Sequence, residues 1–196
     1  MSAIARPLTL VDVAVPRSGT FTNVALIVTT ALVTALAAQA EIRLPWTPVP
    51  ISGQSFAVLL SGLVLGSRRA FLAQLLYLGL GAAGLPVFSG GAAGLLKFIG
   101  PTGGYLIAFP FAAFATGWLA ERGWDRKPLT LFAAMLLGST IIFALGLAQL
   151  SRFVPAPQLL GAGLLPFVPG DLIKSALAAG VFPLAWRLAH PDGGAK

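Results

Sequence analysis

Six stretches of this chain, residues 22–40, 55–66, 70–85, 104–120, 129–150 and 171–189, are almost wholly apolar, and the first five carry no charge. A helix crossing the roughly 30 Å hydrocarbon core of a bilayer needs about 20 such residues. Only 10% of the 196 residues are charged and 57% are hydrophobic, where a soluble domain carries about 25% charged residues. With a mean hydropathy of +0.87, the chain cannot keep a water-facing surface all round. The sequence predicts an all-α integral membrane protein, a single domain over residues 1–196, with six transmembrane helices at the stretches given.

The second stretch is short, since twelve helical residues rise only about 18 Å. Fusing it with the third would leave Arg68 and Arg69 unpaired at mid-membrane, which costs several kcal/mol. A hairpin turning at "GSRR" is expected instead. The helix over 55–66 then starts below the membrane surface, under the preceding loop, because non-helical chain at that depth must be buried in protein or line a cavity.

Lysine and arginine gather on the cytoplasmic side of membrane proteins. With the N-terminus inside, Arg6, Arg17, Arg68, Arg69, Arg122, Arg126, Lys127, Arg187 and Lys196 fall inside, and only Arg43, Lys97, Arg152 and Lys174 fall outside. Both termini are therefore expected in the cytoplasm. The net charge of +7 concerns orientation and not nucleic acid, because the basic residues form no stripe that could track a phosphate backbone. "AQA" at 38–40 has the look of a signal-peptidase site. The long polar lead and the length of the apolar run argue against cleavage, so the first span is expected to be kept.

The outer loops "EIRLPWTPVPISGQ", "LPVFSGGAAGLLKFIGPTGG" and "SRFVPAPQLLGAGLLPFVPG" are too apolar for exposed linkers, and are expected to fold down over the helix ends. Each leads into the next helix through a glycine, Gly53, Gly104 or Gly170. Three helix N-termini then meet at the outer face, an arrangement that attracts a carboxylate. Gly and Pro also simply start helices, and this feature alone does not separate the two readings.

Absences narrow the function. There is no cysteine, and His190, the only histidine, lies in the tail, so neither a thiol or histidine nucleophile nor a metal site is expected inside the bundle. "GAAGLLKF" lacks the spacing of a phosphate-binding loop, no G-x-S-x-G occurs, and no Asp, Glu or His sits at mid-span. The chain is read as a binding or permeation protein energised elsewhere, not an enzyme, and without a cofactor.

The sixth stretch opens with Asp171 and Lys174, neighbours on one helical face. Asp171 suits a first turn as a cap. Lys174 opposes the helix dipole there, so its charge must be offset by Asp171, by snorkelling to the interface, or by a ligand.

"TPVPISGQSFAVLLSGLVLG" (47–66), "LYLGLGAAGLPVFSGG" (76–91), "GPTGGYLIAFPFAAFATGWLAER" (100–122) and "LPFVPGDLIKSALAAG" (165–180) resemble, in order and spacing, the BioY family. These are the biotin-specific S components of energy-coupling-factor (ECF) transporters, and the likeness runs from about residue 20 to 188. It implies a six-helix bundle in the bacterial cytoplasmic (inner) membrane that captures biotin from outside. It also implies a transmembrane T component and ATPase subunits as partners, with lipid around the bundle. Some members are held to transport without dedicated partners, and homo-oligomers can form.

The resemblance places substrate binding on Asp171 and Lys174, the family's Asp-x-x-Lys pair. Asp171 would accept from a ureido N–H, and Lys174 would donate to a ureido or carboxylate oxygen. Gln54 either bonds the ligand or caps its helix; Tyr105, Trp46 and Phe88 either line the pocket or anchor at the interface. Lys97 lies where the family often has polar or basic residues, although the neighbouring "SGGAAGLL" is bare of amides. Ala31 and Ala35 form a small-residue face that in related S components meets the T component, and otherwise packs internally. Gly62 and Gly66 are expected to pack within the bundle, and Leu44 to Gly53 to act as a lid. Two other readings stand beside this one: an S component for another small vitamin, or a ligand-free membrane scaffold whose Asp171–Lys174 pair only steadies a helix start.

Overall fold

Each apolar stretch folds as a helix, which satisfies its backbone hydrogen bonds within the segment. The computed structural model describes residues 9–15 and 19–189. Arg6, Arg17, His190 and Lys196, which entered the reading of orientation and chemistry, lie outside the described residues. A short helix α1 (Leu10–Ala14) precedes α2 (Thr20–Gln39). A two-stranded hairpin, β1 (Glu41–Ile42) and β2 (Ile51–Ser52), leads to α3 (Gln54–Leu65) and α4 (Ser67–Ala82). There follow α5 (Leu96–Ile99), α6 (Gly103–Ala120), α7 (Pro128–Leu150), α8 (Leu159–Gly163) and α9 (Val168–Ala189). The chain is a mostly helical membrane protein. Among the described residues α2, α6, α7 and the segment Ala156–Arg187 are long and apolar enough to cross a membrane.

The long loops gather at one end of the bundle and the tight turns at the other. At the tight-turn end, α3 passes into α4 through Gly66 alone, at φ +81°. A side chain there is excluded twice, by its backbone angle and because its Cβ would lie 2.7 Å from Glu121 Oε1. The same Glu121 oxygen accepts from Ser67 N at 2.7 Å and Ser67 Oγ at 2.8 Å. This satisfies an otherwise orphaned first-turn N–H, and explains why α4 starts at Ser67 rather than Ala70.

Helix α6 is the hub. It packs on α3, α4 and α7, and most of its residues are buried. Close approach to α3 depends on Gly62, whose Cβ would meet Thr116 Oγ1 and the backbone of Ala113 and Gly117. By contrast α2 and α9 keep wide apolar faces open, with Phe21, Leu36, Leu177 and Val181 exposed. Such faces suit lipid rather than water.

One expectation is corrected here. Ala31 and Ala35 are buried, on a helix that packs chiefly against α4. Between them Thr34 receives a hydrogen bond from Gln74 Nε2 of α4 at 3.2 Å, and Gln74 also bonds Ser61 of α3. The small-residue face is therefore used inside the bundle and is not open to a partner helix. What α2 turns outward is Phe21, Val24, Val28, Leu32 and Leu36.

The tight-turn end is tied by polar contacts. Asp12 of α1 accepts from Thr9 Oγ1 at 2.9 Å and from Arg69 Nη1 of α4 at 2.7 Å, holding α1 against α3 and α9. Asp125, in the turn before α7, is fully buried and accepts from Trp186 Nε1 of α9 at 2.6 Å. The Arg126 guanidinium stands over the Trp186 ring, 4.9 Å from its centroid.

Candidate functional site

At the long-loop end, prolines decide the local backbone. Pro45, Pro48 and Pro50 lack an N–H, so the ladder between β1 and β2 stops at two pairs, Glu41 with Ser52 and Ile42 with Ile51. The loop between the strands lies down over the bundle, as its composition requires. Thr47 Oγ1 donates to the Ala162 carbonyl at 2.6 Å and accepts from Val49 N at 3.1 Å, and Val49 is buried.

Beneath this loop is an inner cavity of about 70 Å³, walled by Tyr105, Phe109, Phe143 and Phe167, with Ser52, Ser55, Asp171 and Lys174 among its polar members. Asp171 and Lys174 face it from the first turns of α9 but do not pair with each other within ion-pair distance. Instead Asp171 Oδ1 accepts from Ser139 Oγ of α7 at 2.8 Å, and Lys174 Nζ donates to the Ser52 carbonyl of β2 at 3.1 Å. Strand β2 thus supplies the acceptor that a first-turn ammonium needs.

On the other side of the loop lies an outer cavity of about 360 Å³, bordered by Glu41, Arg43, Thr47, Phe88, Lys97, Thr102 and Leu106. Pro50 belongs to the walls of both cavities. Ser89 Oγ donates to Glu41 Oε2 at 2.6 Å and Arg43 Nε to Glu41 Oε1 at 2.7 Å. The Ser89 hydrogen bond, helped by Arg43, holds the Glu41 carboxyl below the usual range. The inner cavity holds one charge of each sign, whereas two cations face one carboxylate in the outer one.

A chain of hydrogen bonds joins the loops. Ser52 Oγ donates to Gln54 Oε1 at 3.0 Å, Gln54 Nε2 donates to Tyr77 Oη, and Tyr77 Oη donates to the Val87 carbonyl at 3.1 Å. Phe88, next in sequence, is buried with its ring edge-on to Tyr77 at 5.5 Å. Gln39 completes the tie, donating to the Phe88 carbonyl and accepting from Gly91 N.

The structure therefore brings Asp171, Lys174 and Tyr105 to the inner cavity, and Phe88 and Lys97 to the outer one. The Tyr105 hydroxyl is bonded to the Gly163 carbonyl, so its ring is what it offers. Gln54 lines neither cavity and stands behind Ser52. Trp46 lines neither and is 65% exposed at the loop tip. Sequence reasoning does not single out Ser52, Ser139, Glu41 or Arg43. Ser139 carries the one available signal, a hydroxyl within an apolar span. The inner site combines one anionic acceptor, one cationic donor and aromatic walls, which suits a small ligand with N–H donors and a carbonyl on an apolar body.

The sequence profile of the BioY family matches residues 10–191. The probable biotin transporter BioY of Pyrococcus horikoshii is 42% identical over 139 residues, 71% of this chain and 82% of that protein. The biotin transporter BioY of Rhizobium etli is 40% identical over 157 residues, 76% of this chain and 84% of that one. Among solved structures, the S-component for biotin from an ECF-type ABC transporter matches with a TM-score of 0.76 at 26% identity, over 91% of this chain and 97% of that one.

Proposed function

This chain belongs to the BioY family, and on that premise we propose that it captures biotin and takes it up across the membrane as the S component of an ECF transporter. It is a transport protein and not an enzyme, and biotin is its substrate rather than a cofactor. The observation that carries the reading is the inner cavity, where a carboxylate and an ammonium face aromatic walls without neutralising each other. Asp171 accepts from a ureido N–H. Lys174 exchanges the Ser52 carbonyl for a ligand oxygen. Tyr105 and the phenylalanines cover the apolar body.

A ligand site ordinarily measures about 300–1,000 Å³, more than the inner cavity provides. The loop 44–53 therefore acts as a lid whose displacement joins the two cavities across Pro50. Gln54 acts from behind, by holding Ser52.

The single membrane domain spans the bilayer six times, the α3–α4 hairpin adding two passes to the four long helices. The tight-turn end faces the cytoplasm, which is supported by Arg68, Arg69, Arg122, Arg126, Lys127 and Arg187 at that end. The partners are a T component and ATPase subunits in the cytoplasmic membrane.

Equilibrium binding of labelled biotin to the purified chain in detergent tests the function. Saturable binding that excess biotin displaces, and thiamine or riboflavin does not, is expected. No saturable binding overturns it, and displacement by another vitamin would redirect it to a different substrate.

A further inference from the structure

A hydroxyl buried within a helix ordinarily donates to a carbonyl of its own turn, and in this bundle Thr34, Ser61, Thr116 and Thr140 all do so. Ser139 of α7 does not. Its Oγ reaches across to α9 and donates to Asp171 Oδ1 at 2.8 Å. Ser139 is buried and lines neither cavity, lying three residues deeper on α7 than Ile142, which walls the inner one. It reaches a ligand only through Asp171. Among the described residues the carboxylate makes no other hydrogen bond, so Oδ2 is the oxygen left for a ligand.

The two members of the charged pair are held by unlike supports. Lys174 has its acceptor on β2, at the end of the loop 44–53 that is to move, whereas Asp171 has its donor on α7, a long helix packed on the hub α6. Once β2 withdraws, Lys174 has lost its partner and Asp171 is its neighbour one turn away. Attraction in so poorly solvated a site is strong, and a pair that has closed on itself offers a ligand neither its acceptor nor its donor. We propose that Ser139 is a positioning residue for capture, which holds the Asp171 carboxylate on α7 and keeps it from closing onto Lys174 while the site is open. This rests on the biotin reading and adds the residue that keeps the empty site receptive.

The test is a double-mutant cycle of biotin affinity, measured by titration of the full chain in detergent for the parent, Ser139→Ala, Lys174→Met and the double variant. Ser139→Ala is expected to weaken biotin about tenfold, the loss of one charge-assisted hydrogen bond. In the Lys174→Met background Asp171 has no ammonium to close on, and the same substitution is expected to cost about twofold or less. Ser139→Thr keeps the hydroxyl and is expected to bind as the parent does. A thermal midpoint without ligand checks folding, and Ser139→Cys, near in shape and a weak donor, replaces the alanine if that variant does not fold. Equal factors in the two backgrounds, parent-like affinity in Ser139→Ala, or a Ser139→Thr protein as weak as Ser139→Ala would overturn the assignment and leave biotin binding in place. A parent that binds no biotin would sink the biotin reading, and this assignment with it.

Discussion

A carboxylate and an ammonium three residues apart on a helix would ordinarily neutralise each other. Here each is drawn to a different neighbour, Asp171 to Ser139 and Lys174 to the Ser52 carbonyl, so both remain open to exchange with a ligand. Asp171→Asn keeps the shape and removes the charge, and Lys174→Met keeps most of the stem. Each is expected to weaken biotin binding about ten- to hundredfold, the loss of a charge-assisted hydrogen bond in a dry site. Equilibrium dialysis with labelled biotin checks this, and parent-like affinity in both variants would remove the pair from the site. The pair is visible in sequence because charge inside an apolar run is rare. Its partners are not, since Ser139 lies 32 residues from Asp171 and a serine within a span usually bonds its own helix.

At the scale of elements, apolar runs and Gly or Pro punctuation mark where each helix begins and ends. The exception is the start of α4, where the cap comes from Glu121, 54 residues away. Spacing of small residues shows that a helix can be approached closely, but not by which neighbour. That is why Ala31 and Ala35 read as a surface and are found inside. Ala31→Trp is expected to lower the yield of folded chain and biotin binding together, as seen by size-exclusion chromatography and ligand titration. A folded, biotin-binding Ala31→Trp protein would show the face to be free. The short helix α1 offers a pH prediction. Burial pushes the Asp12 carboxyl up, but the hydrogen bonds from Arg69 and Thr9 outweigh it and leave it below its ordinary 3.8. A carboxylate lowered on folding stabilises above the unfolded value and is lost as pH falls through the folded one. A spin label on Ala14 should therefore stay immobile at neutral pH and loosen only below about pH 4. In Arg69→Ala it should be loose at neutral pH.

On the whole molecule, α9 is fastened at both ends, by Asp171 to Ser139 near the lid and by Trp186 to Asp125 at the tight turns. Trp186→Phe keeps an aromatic ring but removes the indole N–H that donates to Asp125, which is fully buried. It is expected to cost about 3 kcal/mol of stability, seen as a lower thermal midpoint in detergent, with biotin affinity retained because the ligand end is untouched. The bond from Lys174 to Ser52 has a further consequence, for rates. On the proposed reading, ligand and strand compete for one ammonium, so association is expected to be a displacement and not a simple encounter. The observed association rate should rise with biotin concentration and then level off at the rate at which the lid lets go, a ceiling that no increase in concentration can lift. Trp46, exposed at the loop tip, provides the stopped-flow fluorescence signal, and a rate that stays linear to high concentration would show that the strand does not gate entry.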